Sequence, residues 1–191
     1  MTIIPWPKNV QRKGALTIAA AEDFKGGHWT TALDKAIATF NQLMSDRGIA
    51  VTISKAEKEI NAHIRFVTEK GNGIHGNTDL ATMKLGGKEY LDRITVRVPA
   101  TPRIDPKDAK SREVGVGVRI YILVHEMIHA IGLTNDEHSK DDVFSEAGAL
   151  KAGKTAGDDL VQPLDGSEPM PPVRLGATTL ANLKKAWPGT E

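Results

Sequence analysis

The complete absence of cysteine constrains this chain more than any other feature of its sequence. Without disulfide bonds, the folded state must be stabilised by a hydrophobic core, and 191 residues are enough to bury roughly two thirds of the unfolded surface. Hydrophobic residues make up 40% of the chain and charged residues 26%, as in globular proteins. The same absence excludes thiolate nucleophiles and zinc sites with cysteine ligands, so histidines and carboxylates must hold any bound metal.

Charge and hydropathy argue against two classes of partner. The formal net charge is +1, whereas nucleic acids and anionic membranes are bound by a concentrated basic surface. No apolar stretch approaches the eighteen or so residues that a membrane-spanning helix needs. Pro5, Pro7 and Lys8 interrupt the N-terminal stretch, so we expect no export signal there. We therefore expect neither a nucleic-acid nor a membrane partner. We also expect a monomer, and the sequence assigns the protein no cellular location.

The first part of the chain alternates between strand and helix patterns. Residues 15–21 form a short apolar run that predicts a strand, and residues 49–54 and 62–68 predict two more. Between the first two runs, apolar side chains recur at helical spacing, and Gly48 follows them where a left-handed C-cap is expected. The apolar face of this predicted helix comprises Trp29, Leu33, Ile37, Phe40 and Met44.

A glycine-rich stretch over residues 71–79 predicts a loop before two further strands at residues 81–85 and 93–98. Gly86-Gly87 joins these two strands, and a proline-bearing connection then leads to a second helix over residues 114–131. The order of elements predicts an α+β fold. We expect a twisted, mainly parallel sheet of four or five strands with two long helices.

We expect one domain with two parts. Residues 1–132 would form an N-terminal subdomain of sheet and helices, and residues 133–191 an irregular C-terminal subdomain. The roughly forty residues up to Arg174 lack periodicity, and such long connections are often functional. Residues 178–187 carry a small amphipathic stripe that predicts a closing helix.

The predicted second helix contains the sequence H-E-x-x-H, formed by His125, Glu126 and His129. Residues four apart lie one turn apart on the same helical face, so two imidazole nitrogens can converge on one cation. Glu126 lies about 100° further round the helix, beside such a cation. A carboxylate there can accept a proton from water that zinc acidifies and can deliver it to a leaving amine. The pattern therefore indicates a zinc site with Glu126 as its catalytic residue.

A catalytic zinc site needs a third protein ligand beyond the two histidines. Gly132, three residues after His129, can adopt the positive φ that ends the helix and turns the chain back towards the metal. The next side chains able to bind zinc are Asp136, Glu137 and His138. Spacing alone leaves the choice among them open.

This stretch resembles the metzincin metallopeptidases, whose pattern is H-E-x-x-H-x-x-G-x-x-H followed later by a methionine turn. His125, Glu126, His129 and Gly132 match the pattern, whereas the next histidine is His138, as if three residues were inserted before it. The likeness is strongest to matrixins. It implies a zinc-dependent endopeptidase with one catalytic zinc on His125, His129 and His138, and with Glu126 as general base and acid.

The resemblance extends more weakly to other parts of the chain. Met170 lies where metzincins place the methionine beneath the metal ligands, and a strand, a long helix and further strands precede their active-site helix as well. The resemblance implies a protein or peptide substrate that lies extended and pairs with an edge strand of the sheet. Residues 81–85 are the candidate for this strand. Without cysteine, the cysteine switch that keeps many matrixins latent is excluded.

Three alternative functions remain open from the sequence. In gluzincins the third ligand is a glutamate on a later helix, and Glu146 could supply it. A catalytically inactive, metzincin-like binding module would keep the fold without hydrolysis. A zinc hydrolase could also act on a bond other than a peptide bond.

Other candidate ligands carry weaker signals. His28, His63 and His75 are expected to be surface histidines rather than ligands of a structural zinc. Calcium could bind carboxylates of the C-terminal part, but no calcium-loop spacing is present, so a calcium site is unsupported. The carboxylates concerned are Asp136, Asp141, Asp142, Asp165 and Glu168.

Overall fold

The computed structural model describes residues 3–134 and 175–188, which form an α+β arrangement of five strands and five α-helices. A single 3₁₀ turn, Glu59–Asn61, precedes the third strand. The elements in chain order are α1 Lys8–Lys13, β1 Ala15–Ala20, α2 Glu22–Lys25, α3 Thr30–Asp46, β2 Thr52–Lys55, β3 Ile64–Asn72, β4 Asn77–Leu85, β5 Lys88–Thr101, α4 Val116–Ala130 and α5 Ala177–Ala186.

The five strands form one mixed sheet in the order β2-β1-β3-β5-β4. The pairs β1–β2, β1–β3 and β3–β5 are parallel, and only β4 runs antiparallel, along one edge. Ile64 of β3 pairs with Ile18 of β1 on one side and with Ile94 of β5 on the other. The mainly parallel sheet predicted from the sequence is therefore confirmed.

The hairpin of β4 and β5 turns through Gly86 and Gly87, which both have positive φ, at 57° and 76°. Such a two-residue turn matches the natural twist of antiparallel strands. The predicted strand at 81–85 is the second half of β4, which begins earlier, at Asn77. Only residues 73–76 connect β3 to β4, because the backbone of the polar stretch after Gly76 pairs with β5. The nine-residue loop predicted over 71–79 was therefore too long.

The core is built from apolar side chains of the sheet and of helices α3 and α4, which pack together. Helix α3 ends as predicted, with Gly48 following it at a φ of 63°. Helices α1 and α2, with six and four residues, are too short to give a periodic pattern and were not predicted. The largest fully buried side chains include Trp6, Trp29, Trp187, Phe24, Phe40 and Phe66.

The closing helix is confirmed as α5, which buries Leu183 and is followed by the buried Trp187. The irregular subdomain predicted between Gly132 and this helix lies largely outside the described residues. Within residues 3–134 and 175–188, no helix has the length and apolar character required to cross a membrane.

Candidate metal centre

Helix α4 carries the H-E-x-x-H sequence and is buried over most of its circumference. Leu123, Val124 and Met127 are fully buried. Glu126 and His129 are 4% exposed each, and His125 is half-buried. Polar side chains in such surroundings need partners, because a buried polar group without one costs about 1–3 kcal/mol.

The two histidines face each other through their Nε2 atoms, which lie 3.1 Å apart. A tetrahedral zinc ion with bonds of about 2.0–2.1 Å would separate two nitrogen ligands by about 3.3 Å. His125 and His129 therefore fit as two adjacent corners of a zinc site. The same separation also allows a hydrogen bond between the two rings.

The protonation of Nδ1 of His129 determines whether Nε2 of the same ring can bind a metal. Nδ1 lies 2.6 Å from the carbonyl oxygen of Leu133. A carbonyl can only accept, so Nδ1 carries the proton and donates it, and neutral His129 keeps the Nε2 lone pair towards His125. Metal-binding histidines are commonly held in this way by a carbonyl on the far nitrogen.

Gly132 brings that carbonyl into place. Its φ of 118° bends the chain directly after α4, as predicted, so that Leu133 folds back on His129. A Cβ at residue 132 would lie 2.8 Å from the carbonyl oxygen of Ile4, in the N-terminal segment that crosses the end of the helix. Both the backbone conformation and this close approach require glycine here.

Two tryptophans bind the carbonyls at the end of α4. The indole N–H of Trp6 donates to the oxygen of Ala130 at 3.0 Å, and that of Trp187 donates to the oxygen of Ile131 at 2.9 Å. The last carbonyls of a helix have no partner within it, so these indoles satisfy groups that would otherwise be buried and unpaired. Segments near both ends of the chain thereby fix the end of the helix that carries His129.

Glu126 lies beneath the connection between β3 and β4. The hydroxyl of Thr78 donates to its Oε2 at 2.6 Å, and a Cβ at Gly76 would lie 2.6 Å from the carboxylate carbon and from Oε1. Burial raises the pKa of Glu126 to about 7, although the hydrogen bond from Thr78 opposes that rise. The carboxyl group therefore titrates near neutral pH in the absence of metal.

The described residues bring together only two of the predicted zinc ligands. Among them, no third histidine or carboxylate joins His125 and His129 in a group that could hold a metal. His138 lies outside the described residues, as do Asp136, Glu146 and Met170. The third ligand and the methionine turn therefore stay predictions.

The other histidines lie apart from this pair. Nδ1 of His28 lies 2.8 Å from a carboxylate oxygen of Glu113, and His75 is exposed in the connection before β4. His63 is half-buried, with its ring 5.4 Å from that of Trp6 and its Nδ1 accepting the backbone N–H of Thr17 at 3.1 Å. His63 is thus partly exposed, as expected, and its ring also packs in the structure.

Sequence reasoning missed the residues that support the motif from a distance. Thr78 and Gly76 lie in a stretch whose composition indicated only a loop, and Trp6 lies in a segment without a periodic pattern. No model of a known protein family matches the chain, and no curated protein shows significant sequence similarity to it.

Proposed function

We propose that this protein is a zinc-dependent endopeptidase of metzincin type, in which His125 and His129 bind the metal and Glu126 acts as general base. The observation that carries the proposal is the 3.1 Å approach of the two Nε2 atoms, combined with the carbonyl that fixes the tautomer of His129. Glu126, which lies between the two histidines in the sequence, supplies a buried carboxylate as the general base that hydrolysis needs.

The proposed reaction assigns one task to each part of the site. When bound, zinc supplies Lewis acidity, which polarises the scissile carbonyl, acidifies water and favours the ionised form of a neighbouring carboxyl group. Glu126 accepts a proton from the attacking water and passes it to the leaving amine. Thr78 donates its hydroxyl to Oε2, so we assign this transfer to Oε1, which lies against Gly76.

A peptide is the substrate class that the sheet favours. β4 pairs only with β5 among the described strands, so its other edge carries backbone groups that an extended peptide can pair with. Thr78, the second residue of β4, contacts Glu126, so a peptide added along this edge passes beside the proposed base. Main-chain pairing would hold the scissile bond at that place.

His138 is the proposed third ligand, with Asp136 and Glu146 as the competing residues. Alanine variants at these three positions test the assignment directly. His138→Ala should lose zinc, whereas Asp136→Ala and Glu146→Ala should keep it. Retention of zinc by His138→Ala together with its loss in Glu146→Ala would favour the gluzincin arrangement.

One observation favours a second function, that of a catalytically inactive binding module. Glu126 is only 4% exposed, and the connection around Gly76 covers its carboxylate. A base that stays covered cannot reach water or substrate. The inactive module would bind zinc through His125 and His129 without cleaving peptides.

The experiment that separates the two functions compares the wild-type protein with Glu126→Gln. Zinc content is measured by elemental analysis, and cleavage of a peptide library is followed by mass spectrometry. We expect both proteins to bind one zinc and the variant to lose cleavage by about a hundredfold or more, the usual contribution of a general base. Glu89→Gln serves as a control, because it removes an exposed carboxylate that is bonded to Thr82.

Each outcome has a defined meaning. Equal cleavage by wild type and Glu126→Gln would contradict the proposed mechanism. Zinc binding without any cleavage by the wild type would favour the binding module. Absence of zinc from both proteins would contradict the metal site itself.

A further inference from the structure

A cavity of about 420 Å³ lies between the N-terminal segment, the start of β5 and helix α5. Its volume falls within the range of about 300–1,000 Å³ that is usual for small-molecule sites. The cavity is not lined by the proposed zinc ligands His125 and His129 or by Glu126. This cavity is therefore separate from the proposed peptidase site and has no part in the proposed function.

Three lysines from three different elements line the cavity. Lys8 comes from α1, Lys88 from β5 and Lys185 from the last turn of α5. The lining contains no carboxylate, and none of the three lysines forms an ion pair within the described part of the chain. A chain with a net charge of +1 thus gathers three positive charges around one cavity, which raises the positive potential there.

A buried side chain holds one of these lysines in place. Gln11 is 5% exposed, and its Oε1 accepts from the ammonium of Lys8 at 3.2 Å. Its amide nitrogen donates to the backbone oxygen of Trp6 at 2.7 Å, so both ends of the amide are fixed. Lys8, although exposed, is therefore held at its ammonium group by a buried side chain whose own position is fixed.

The remaining lining divides into polar and apolar parts. Tyr90 and Asn182 are polar lining residues, whereas Ile3, Pro5 and Ala186 are apolar ones. This combination suits a ligand with a charged end and an apolar body, since each part then meets matching groups.

We propose that this cavity binds a small organic anion that carries a phosphate or a pair of carboxylates on an apolar body. The charged end of the anion pairs with Lys8, Lys88 and Lys185, and its body covers the apolar wall. Binding bridges the N-terminal segment and α5. Because Trp6 and Trp187 of these two regions both bind the end of α4, the anion also stabilises the fold.

The test uses two probes, phenyl phosphate and phthalate, in isothermal titration calorimetry on the full chain. We expect saturable binding of at least one probe with one site per chain, weakened as the salt concentration rises. The triple variant Lys8→Gln, Lys88→Gln, Lys185→Gln should weaken binding by about tenfold or more. Each exposed charge pair contributes only modestly to binding, but this variant removes three of them. Which probe binds more tightly distinguishes a phosphate ligand from a dicarboxylate.

Lys184→Gln and Lys84→Gln are the matched controls. Lys184 precedes Lys185 in the last turn of α5 and therefore has the same favourable interaction with the helix dipole, but it does not line the cavity. Lys84 lies at the other side of the hairpin turn from Lys88. Both control variants should bind the probe as the wild type does.

Amide chemical shifts provide a second measurement that does not depend on the variants. Titration of the wild type should shift the signals of Tyr90 and Asn182, which line the cavity, more than those of Lys84. Absence of saturable binding up to about 10 mM of either probe would overturn the proposal, as would binding that the triple variant leaves unchanged.

Discussion

The hydroxyl of Thr78 lies 2.6 Å from Oε2 of Glu126, and this contact joins the start of the edge strand β4 to helix α4. The two residues are 48 positions apart in the sequence. This bond makes the geometry of the proposed base depend on the strand that is proposed to receive the substrate.

Thr78→Val should destabilise the fold because it removes the donor and leaves a buried carboxyl group without its partner. We expect the free energy of unfolding to fall by about 1–3 kcal/mol. Thr78→Ser keeps the hydroxyl and should retain most of the stability. Urea unfolding of the three proteins checks this. A larger loss in Thr78→Ser than in Thr78→Val would show that packing of the methyl group, which valine keeps, is what matters.

Gly132→Ala should weaken zinc binding as well as the fold. Alanine disfavours the φ of 118° and would place a methyl group 2.8 Å from the oxygen of Ile4, so Leu133 can no longer hold His129. Loss of such an outer partner typically lowers metal affinity by about 10–100-fold. Zinc titration against a competing chelator measures the change.

Gly26→Ala is the control for this substitution, because φ is −95° at Gly26 and no atom lies within 4 Å of an added Cβ. It should bind zinc as the wild type does. Unchanged zinc affinity in Gly132→Ala would contradict the role assigned to the turn.

The indole caps on α4 can be tested with Trp6→Phe and Trp187→Phe. Each variant removes one hydrogen bond to a buried carbonyl, so the free energy of unfolding should fall by about 1–3 kcal/mol. Both should also weaken zinc binding, by up to about tenfold, because the end of α4 that carries His129 loosens.

Trp29→Phe is matched to these variants in residue type and burial. Its indole donates to the oxygen of Pro99 at 2.6 Å, away from the end of α4. We expect it to lower stability by a similar amount and to leave the zinc affinity unchanged. If all three variants weakened zinc binding equally, general destabilisation would explain the effect.

Stability should depend on pH through His63. Burial lowers the pKa of His63 below its ordinary value of 6.5, and Lys13 lowers it further. The folded chain thus binds this proton less tightly than the unfolded chain does. The contribution of His63 is fully present above about pH 6.5 and is lost as the pH falls through the lowered pKa of the folded state.

His63→Asn isolates this contribution, because the amide oxygen of asparagine can still accept from Thr17 but does not titrate. Urea unfolding of both proteins at pH 8 and at pH 5.5 measures it. The wild type should lose more stability than the variant between the two pH values. Parallel losses would contradict the assignment.

Sequence patterns predicted the features that depend on neighbouring residues. Helix α4, the position of its two histidines and the bend at Gly132 follow from spacing within a few residues. The hairpin turn and the mainly parallel sheet follow from local strand and glycine patterns as well. Each of these features was confirmed.

The supporting contacts could not be predicted in this way because they join distant parts of the chain. Trp6 and Ala130 are 124 positions apart, and Trp187 and Ile131 are 56 apart. Nothing in the composition around Trp6 indicates that its partner is a helix end. Only the packing of the segments that carry Trp6 and Trp187 against the end of α4 brings these groups together.

The sheet order also bears on how the chain assembles. β5 lies between β3 and β4, although β3 and β4 are consecutive in the sequence. A hairpin closes in about 1–10 μs, whereas parallel pairing must join distant segments, so we expect β4 and β5 to pair first. Pulsed hydrogen exchange during refolding should protect their amides before those of β1. The proposed substrate-binding edge would then take shape before the parallel part of the sheet is complete.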